Sequence, residues 1–117
     1  MNTGDQLVLV YSTYPSEAAA QDTARELLAS RLAACVNLLP GMTSFYEWQG
    51  AFQQASEVVL LAKTRAGLAE AAMALVARSH PYDTPAILVL PAMTSAPGFT
   101  DWVLTQTTAS DKATGES

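Results

Sequence analysis

The chain has 117 residues, of which 50% are hydrophobic, so it is long enough for one globular core and too short for two. Its formal net charge of −5 and its lack of any basic run exclude nucleic acid and anionic membranes as main partners. No apolar run is long enough to span a bilayer. Cys35 is the single cysteine and cannot form an internal disulfide. Together these features predict a cytoplasmic protein.

The first part of the chain predicts a strand, a helix and a hairpin, after a polar stretch, residues 1–6, that we expect to be flexible. The run LVLVYS, Leu7 to Ser12, is typical of a strand buried on both faces. Ser16 can cap a helix, which the apolar spacing predicts over residues 16–34. A long hairpin then follows.

The hairpin has unusually long arms. Gln49-Gly50 is a turn signal, and Pro40-Gly41 within the first arm predicts a bulge or bend. The tip carries the aromatic sequence FYEWQGAF, which suits either a subunit contact or packing on its own sheet. Because each arm exceeds the usual strand of about five or six residues, we expect the hairpin to project and pair with another copy.

The second part of the chain predicts a helix over residues 65–79, ended by Pro81, and a buried strand from Ala86 to Pro91. A short helix follows near Pro97. The polar residues 108–117 are predicted to be disordered. The order β-α-β-β-α-β plus a C-terminal helix is typical of an α+β, ferredoxin-like sandwich, formed here by a single domain over residues 7–107.

His80 is the only histidine, in the segment SHPYDTPAILVLP. A structural role is the commoner one for a lone histidine, because copper and zinc sites normally take two to four nitrogen or sulfur donors. Symmetry could supply further donors if His80 lies near a subunit boundary. The motifs of Ser-His-Asp hydrolases, zinc proteases and phosphate-binding loops are missing, so we predict that the chain is not an enzyme.

Four segments give a family resemblance: SRLAACVNLLPGMTSFYEWQG, SEVVLLAKT, SHPYDTPAILVLP and FTDWV. Their order and spacing resemble those of the CutA (divalent-cation tolerance) family over about Leu7 to Thr107. The resemblance implies a homotrimer with PII-like architecture, in which extended hairpins run between subunits. It also implies a role in divalent-cation tolerance, with copper as the metal usually assigned.

The resemblance suggests a metal site formed by His80 and Glu57. The cysteine that some members carry at the end of the first strand is Ser12 here, which favours a weaker site over tight Cu(I) binding. An alternative is a PII-like signalling module without a metal role, binding a small molecule or partner in an inter-subunit cleft. Trp48, Lys63 and Tyr82, with His80, would line that cleft.

Overall fold

A computed structural model of the chain describes residues 3–107, and the predicted disordered tail, residues 108–117, lies outside them. The antiparallel sheet has the strand order β2-β3-β1-β4. The strands are β1 (Leu7–Tyr14), β2 (Cys35–Trp48), β3 (Ala51–Arg65) and β4 (Ile87–Pro91), and the helices are α1 (Glu17–Ala29), α2 (Ala69–Ser79) and α3 (Pro97–Gln106). The predicted α+β, ferredoxin-like fold is confirmed. Within residues 3–107, no helix is long and apolar enough to cross a membrane.

The main core lies between one face of the sheet and the helices α1 and α2. Side chains alternate along β1 and β3, so that Val10, Leu60 and Ala62 point to the helices and are fully buried. Leu27 of α1 and Val76 of α2 complete this cluster and are also fully buried. This face of the sheet, with its helices, forms the two-layer sandwich.

The opposite face of the sheet is only partly covered. The helix α3 closes one end, where Leu7 and Val103 form a second cluster with Ala34. Beyond α3 the face is open, and its apolar side chains are exposed in the protomer. They are Leu39, Leu88 and Leu90, at 48%, 55% and 42% exposure.

The helix α1 ends five residues earlier than the apolar spacing predicts, at Ala29 rather than residue 34. The chain turns there because Arg31 adopts a left-handed conformation, with φ of 58°. The backbone N–H groups of Arg31 and Leu32 donate to the carbonyls of Leu28 and Leu27, which satisfies the last turn of the helix. The predicted N-cap is confirmed, since Ser16 Oγ accepts from the N–H of Ala19.

The connection between β3 and α2 also differs from the predicted helix over residues 65–79. Arg65 is still in the strand, and a short 3-10 helix, Ala66–Leu68, precedes α2. The guanidinium of Arg65 explains this, because it donates to Asp5 Oδ1 at 3.1 Å and to the carbonyl of Thr107 at 3.0 Å. Asp5 belongs to a second 3-10 helix, Thr3–Asp5.

The hairpin β2–β3 projects beyond the rest of the sheet. Only the part of β3 from Val58 onwards pairs with β1, so residues 51–57 pair with β2 alone. The predicted bulge is confirmed by a register shift between Leu39 and Met42, where Gly41 has φ of 85°. The radius of gyration is therefore 15.6 Å, against roughly 13 Å for a compact domain of this length.

The turn at Gln49-Gly50 gives the first testable prediction. Both residues have positive φ, at 51° and 82°, as the two-residue hairpin turn requires. We expect Gly50→Ala to lower the free energy of unfolding by about 1 kcal/mol, because alanine is strained in this region. The matched control is Gly98→Ala in α3, where an added Cβ is equally uncrowded and φ is not positive. Urea unfolding at one protein concentration measures the free energy of unfolding of both variants. Equal values for Gly50→Ala and Gly98→Ala would contradict the prediction.

Candidate functional site

His80 caps the C-terminal end of α2 and is buried, with 9% of its surface exposed. Its Nε2 lies 2.8 Å from the carbonyl oxygen of Thr13 in β1, so Nε2 carries the proton and donates. Its Nδ1 accepts from the backbone N–H of Tyr82 at 3.1 Å. The two hydrogen bonds fix one neutral tautomer and join the end of α2, the end of β1 and the following loop.

The surroundings of His80 favour its neutral form. The ring of His80 stacks on that of Tyr14, with the ring centroids 4.2 Å apart. The ring of Tyr82 is tilted relative to that of His80, with the centroids 5.0 Å apart. Burial lowers the pKa of His80 below its usual 6.5, although the hydrogen bond to Thr13 and the charge of Glu57 act in the opposite direction. A proton on Nδ1 would also remove the acceptor used by Tyr82.

Glu57 is held from two sides. Its Oε1 accepts from Ser44 Oγ of β2 at 2.6 Å, and its Oε2 accepts from the Tyr82 hydroxyl at 2.9 Å. Partial burial, together with the hydrogen bond and negative charge of Glu57, raises the pKa of Tyr82 to about 12. Tyr82 therefore stays protonated at neutral pH and donates to the carboxylate.

Glu57 and Tyr82 line an open cleft of about 680 Å³ beside the projecting hairpin. Its volume lies in the range typical of small-molecule sites. One wall comes from the hairpin, with Tyr46, Trp48 and Glu57, and the other from the loop between α2 and β4. The residues that line it are Thr13, Tyr46, Trp48, Glu57, Pro81, Tyr82, Asp83, Thr84 and Ala86.

The cleft brings together three of the residues selected from the sequence, Trp48, Glu57 and Tyr82, and His80 lies behind it. Lys63 shares a strand face with Glu57 but is six residues away, about 20 Å along an extended strand. Its Nζ lies 5.6 Å from the ring centroid of Phe99 in α3. Lys63 is thus remote from the cleft of its own protomer.

Ser12 lies on the other side of β1. It is fully buried and paired with Leu60, on the sheet face that α1 and α2 cover. Its hydroxyl is therefore separated from the cleft by the sheet itself.

Sequence reasoning did not select Ser44, Tyr46 or Thr13 as site residues. Ser44 reaches Glu57 only through the register that follows the bulge after Leu39. Thr13 contributes a backbone carbonyl, which carries no signal in the sequence. The neighbouring aromatic run FYEW was the one feature that could have indicated Tyr46, since it also contains Trp48.

A copper or other divalent ion does not fit the residues of one protomer. The proton on Nε2 of His80 and the hydrogen bond at its Nδ1 leave no free lone pair on the ring. Glu57 and Asp83 then offer only carboxylate oxygens, whereas copper and zinc favour several nitrogen or sulfur donors. Among residues 3–107, no three His, Cys, Asp or Glu side chains are grouped to hold a metal.

The fold and the cleft define a small ferredoxin-like protein with a projecting hairpin and a carboxylate held at its base. The chain matches the family of CutA1 divalent ion tolerance proteins over residues 8–106. It is 42% identical over 98 residues to the divalent-cation tolerance protein CutA of Citrobacter koseri, covering 84% of this chain and 85% of that one. The chain therefore belongs to the CutA1 divalent ion tolerance family, and the resemblance seen in its motifs is confirmed.

Solved structures agree with this assignment. CutA1 from Oryza sativa superposes with a TM-score of 0.86 at 34% identity, covering 91% of this chain and 97% of that one. The periplasmic divalent cation tolerance protein CutA from Archaeoglobus fulgidus gives a TM-score of 0.83 at 34% identity, covering 86% and 98%.

The Archaeoglobus fulgidus protein contradicts the prediction of a cytoplasmic location, since it is described as periplasmic. The prediction was wrong because it relied on the absence of an internal disulfide. A chain with one cysteine cannot form that bond in any compartment, so its cysteine count carries no information about location.

The two hydrogen bonds of His80 give a prediction for the pH dependence of stability. As the pH falls below about 6.5, the unfolded chain takes up a proton at His80 before the folded chain does, because the folded pKa is lowered. His80 therefore stabilises the fold fully above that pH, and this contribution is lost as the pH falls towards the folded pKa. We expect the stability advantage of the wild type over His80→Gln to shrink between about pH 7.5 and about pH 5.5.

Urea unfolding of both proteins at the two pH values measures this difference. The two proteins differ only at residue 80, so the change of their stability difference with pH reports on that position. Parallel pH profiles would contradict the role given to His80.

Proposed function

We propose that the chain acts in divalent-cation tolerance as a homotrimer whose projecting hairpins pack against neighbouring subunits, with the cleft at Glu57 and Tyr82 as its binding site. The observation that carries this proposal is the hairpin itself. Its outer part, residues 51–57 of β3 with the facing part of β2, has no third strand beside it among residues 3–107. The number of subunits follows the family resemblance.

The exposed backbone of the hairpin supports assembly. A long strand without a neighbour presents unpaired N–H and C=O groups that pair readily with another chain. At 14 and 15 residues, β2 and β3 are far longer than β1, which has 8. Packing of the hairpin on a second copy would satisfy these groups.

Exposed apolar side chains favour the same arrangement. Phe45 and Phe52 lie diagonally across the hairpin on one face, and they are 75% and 89% exposed. The open face of the sheet carries Leu39, Leu88 and Leu90, also exposed in the protomer. Aromatic and aliphatic surface of this kind is typical of the buried centre of subunit interfaces.

Copper or divalent-metal binding by His80 and Glu57 remains a prediction, and the geometry of one protomer does not support it. A role in cation tolerance does not require coordination by His80. We infer instead that His80 positions Tyr82 against Glu57 through its hydrogen bonds to the loop and to β1. The predicted site residue Lys63 could meet a cleft only across a subunit boundary, because it is remote from the cleft of its own chain.

We assign no reaction to the cleft. The only histidine of the chain has a pKa lowered by burial and uses both ring nitrogens in hydrogen bonds, so it is not poised as a general base. Tyr82 holds its proton, since its pKa is raised to about 12. The proposed function is therefore that of a binding protein.

Replacing both Phe45 and Phe52 by alanine tests the proposed assembly. The substitutions remove exposed apolar surface from the hairpin without disturbing the core, so we expect the trimer to dissociate at protein concentrations where the wild type stays assembled. Light scattering coupled to size-exclusion chromatography gives the mass, and circular dichroism checks the fold of the protomer.

Gln54→Ala is the matched control for the assembly test, because Gln54 is an exposed residue on the same hairpin face. It should leave the trimer intact. A monomeric wild type, or a double variant as stably trimeric as the wild type, would overturn the proposed assembly.

A further inference from the structure

The lining of the cleft combines aromatic rings with negative charge. Tyr46, Trp48 and Tyr82 are 47%, 62% and 37% exposed, so their ring surfaces are accessible to a ligand in the protomer. Glu57 and Asp83 supply carboxylates, and none of the lining residues is lysine, arginine or histidine. This combination attracts positive charge.

We propose that the cleft binds a small organic ammonium cation, with its charge beside the carboxylate of Glu57 and against the rings of Tyr46 and Tyr82. The inference rests on the proposed function, because it names the class of ligand for the same cleft. A cation above the face of an aromatic ring is attracted by the ring quadrupole, most strongly by tryptophan. Alkylated ammonium groups add apolar contact with the rings.

Glu57 is prepared for this role before any ligand arrives. Ser44 and Tyr82 hold its two oxygens at 2.6 Å and 2.9 Å, so the carboxylate does not need to be ordered on binding. Tyr82 keeps its proton because its pKa is raised to about 12, and its ring therefore remains a neutral wall of the site. The only formal charges of the lining are negative.

The same observations argue against two other classes of ligand. A bare divalent ion needs several close donors, about six oxygens for calcium or magnesium, and Glu57 is the single carboxylate held in place. An anion such as a nucleotide needs a basic partner, and no lysine, arginine or histidine lines the cleft of the protomer, where Lys63 lies at Phe99. An organic ammonium ion is larger and more weakly hydrated than a metal ion, so it needs only ring faces and one counter-charge.

Isothermal titration calorimetry with choline tests the proposal on the full chain. Its neutral isostere, 3,3-dimethylbutan-1-ol, has the same shape without the charge. We expect saturable binding of choline. The affinity for the isostere should be lower by about tenfold or more. Equal affinity for the two, or no heat with choline, would overturn the proposal.

Matched variants identify the site. Glu57→Gln removes one negative charge from the cleft, whereas Glu47→Gln removes one from an exposed position of the same hairpin that does not line it. We expect Glu57→Gln to weaken choline binding about tenfold, and Glu47→Gln to leave it unchanged. Tyr46→Leu, which leaves Glu57 intact, should weaken it as well. Equal effects of the two charge variants would place the ligand elsewhere and overturn the inference.

Light scattering on the same samples separates this inference from the proposed assembly. A wild-type trimer that does not bind choline would overturn the inference and leave the assembly standing. A wild-type monomer that binds choline would overturn the assembly and leave the inference standing.

Discussion

The hydrogen bond from His80 Nε2 to the carbonyl of Thr13 is the contact on which the site depends. It joins the end of α2 to the end of β1, two elements that are far apart in sequence and that the sandwich brings side by side. The ring is buried and stacks on Tyr14. With Nε2 used in this way, Nδ1 is the acceptor that holds the backbone of Tyr82.

The position of Glu57 follows from that constraint. Tyr82 is carried by a loop, and a loop residue directs a hydroxyl to a fixed point only when its backbone is held. The Tyr82 hydroxyl then donates to the carboxylate of Glu57, to which Ser44 donates from the other strand of the hairpin. We therefore infer that His80, which resembles a metal ligand in the sequence, positions the aromatic and carboxylate groups of the cleft.

Much of the architecture could be predicted from the sequence, because it depends on local patterns. The apolar run in EVVLLAKT, the N-cap Ser16 and the Gln49-Gly50 turn each specify a short piece of chain, and the structure agrees with all three. The end of α1 could not be predicted, because Arg31 adopts a conformation that glycine more often occupies.

The site was only partly predictable, because it depends on contacts between distant segments. Trp48, Glu57 and Tyr82 were selected from the sequence, and they do share a cleft. A structural role for His80 was predictable, but its partner was not, because Nε2 bonds a backbone carbonyl that any residue could supply. The register of Ser44 against Glu57 could not be predicted either, because the bulge at Gly41 shifts the pairing of β2 with β3.

The tautomer of His80 tests this account most directly. Long-range proton–nitrogen NMR of the folded protein at neutral pH reports which ring nitrogen carries the proton, and Zn²⁺ serves as a diamagnetic probe of metal binding. We expect a proton on Nε2, an unprotonated Nδ1 that accepts a hydrogen bond, and no change in either signal when Zn²⁺ is added. A proton on Nδ1, or a shift of either nitrogen on addition of Zn²⁺, would show that His80 is available as a ligand and would contradict the account.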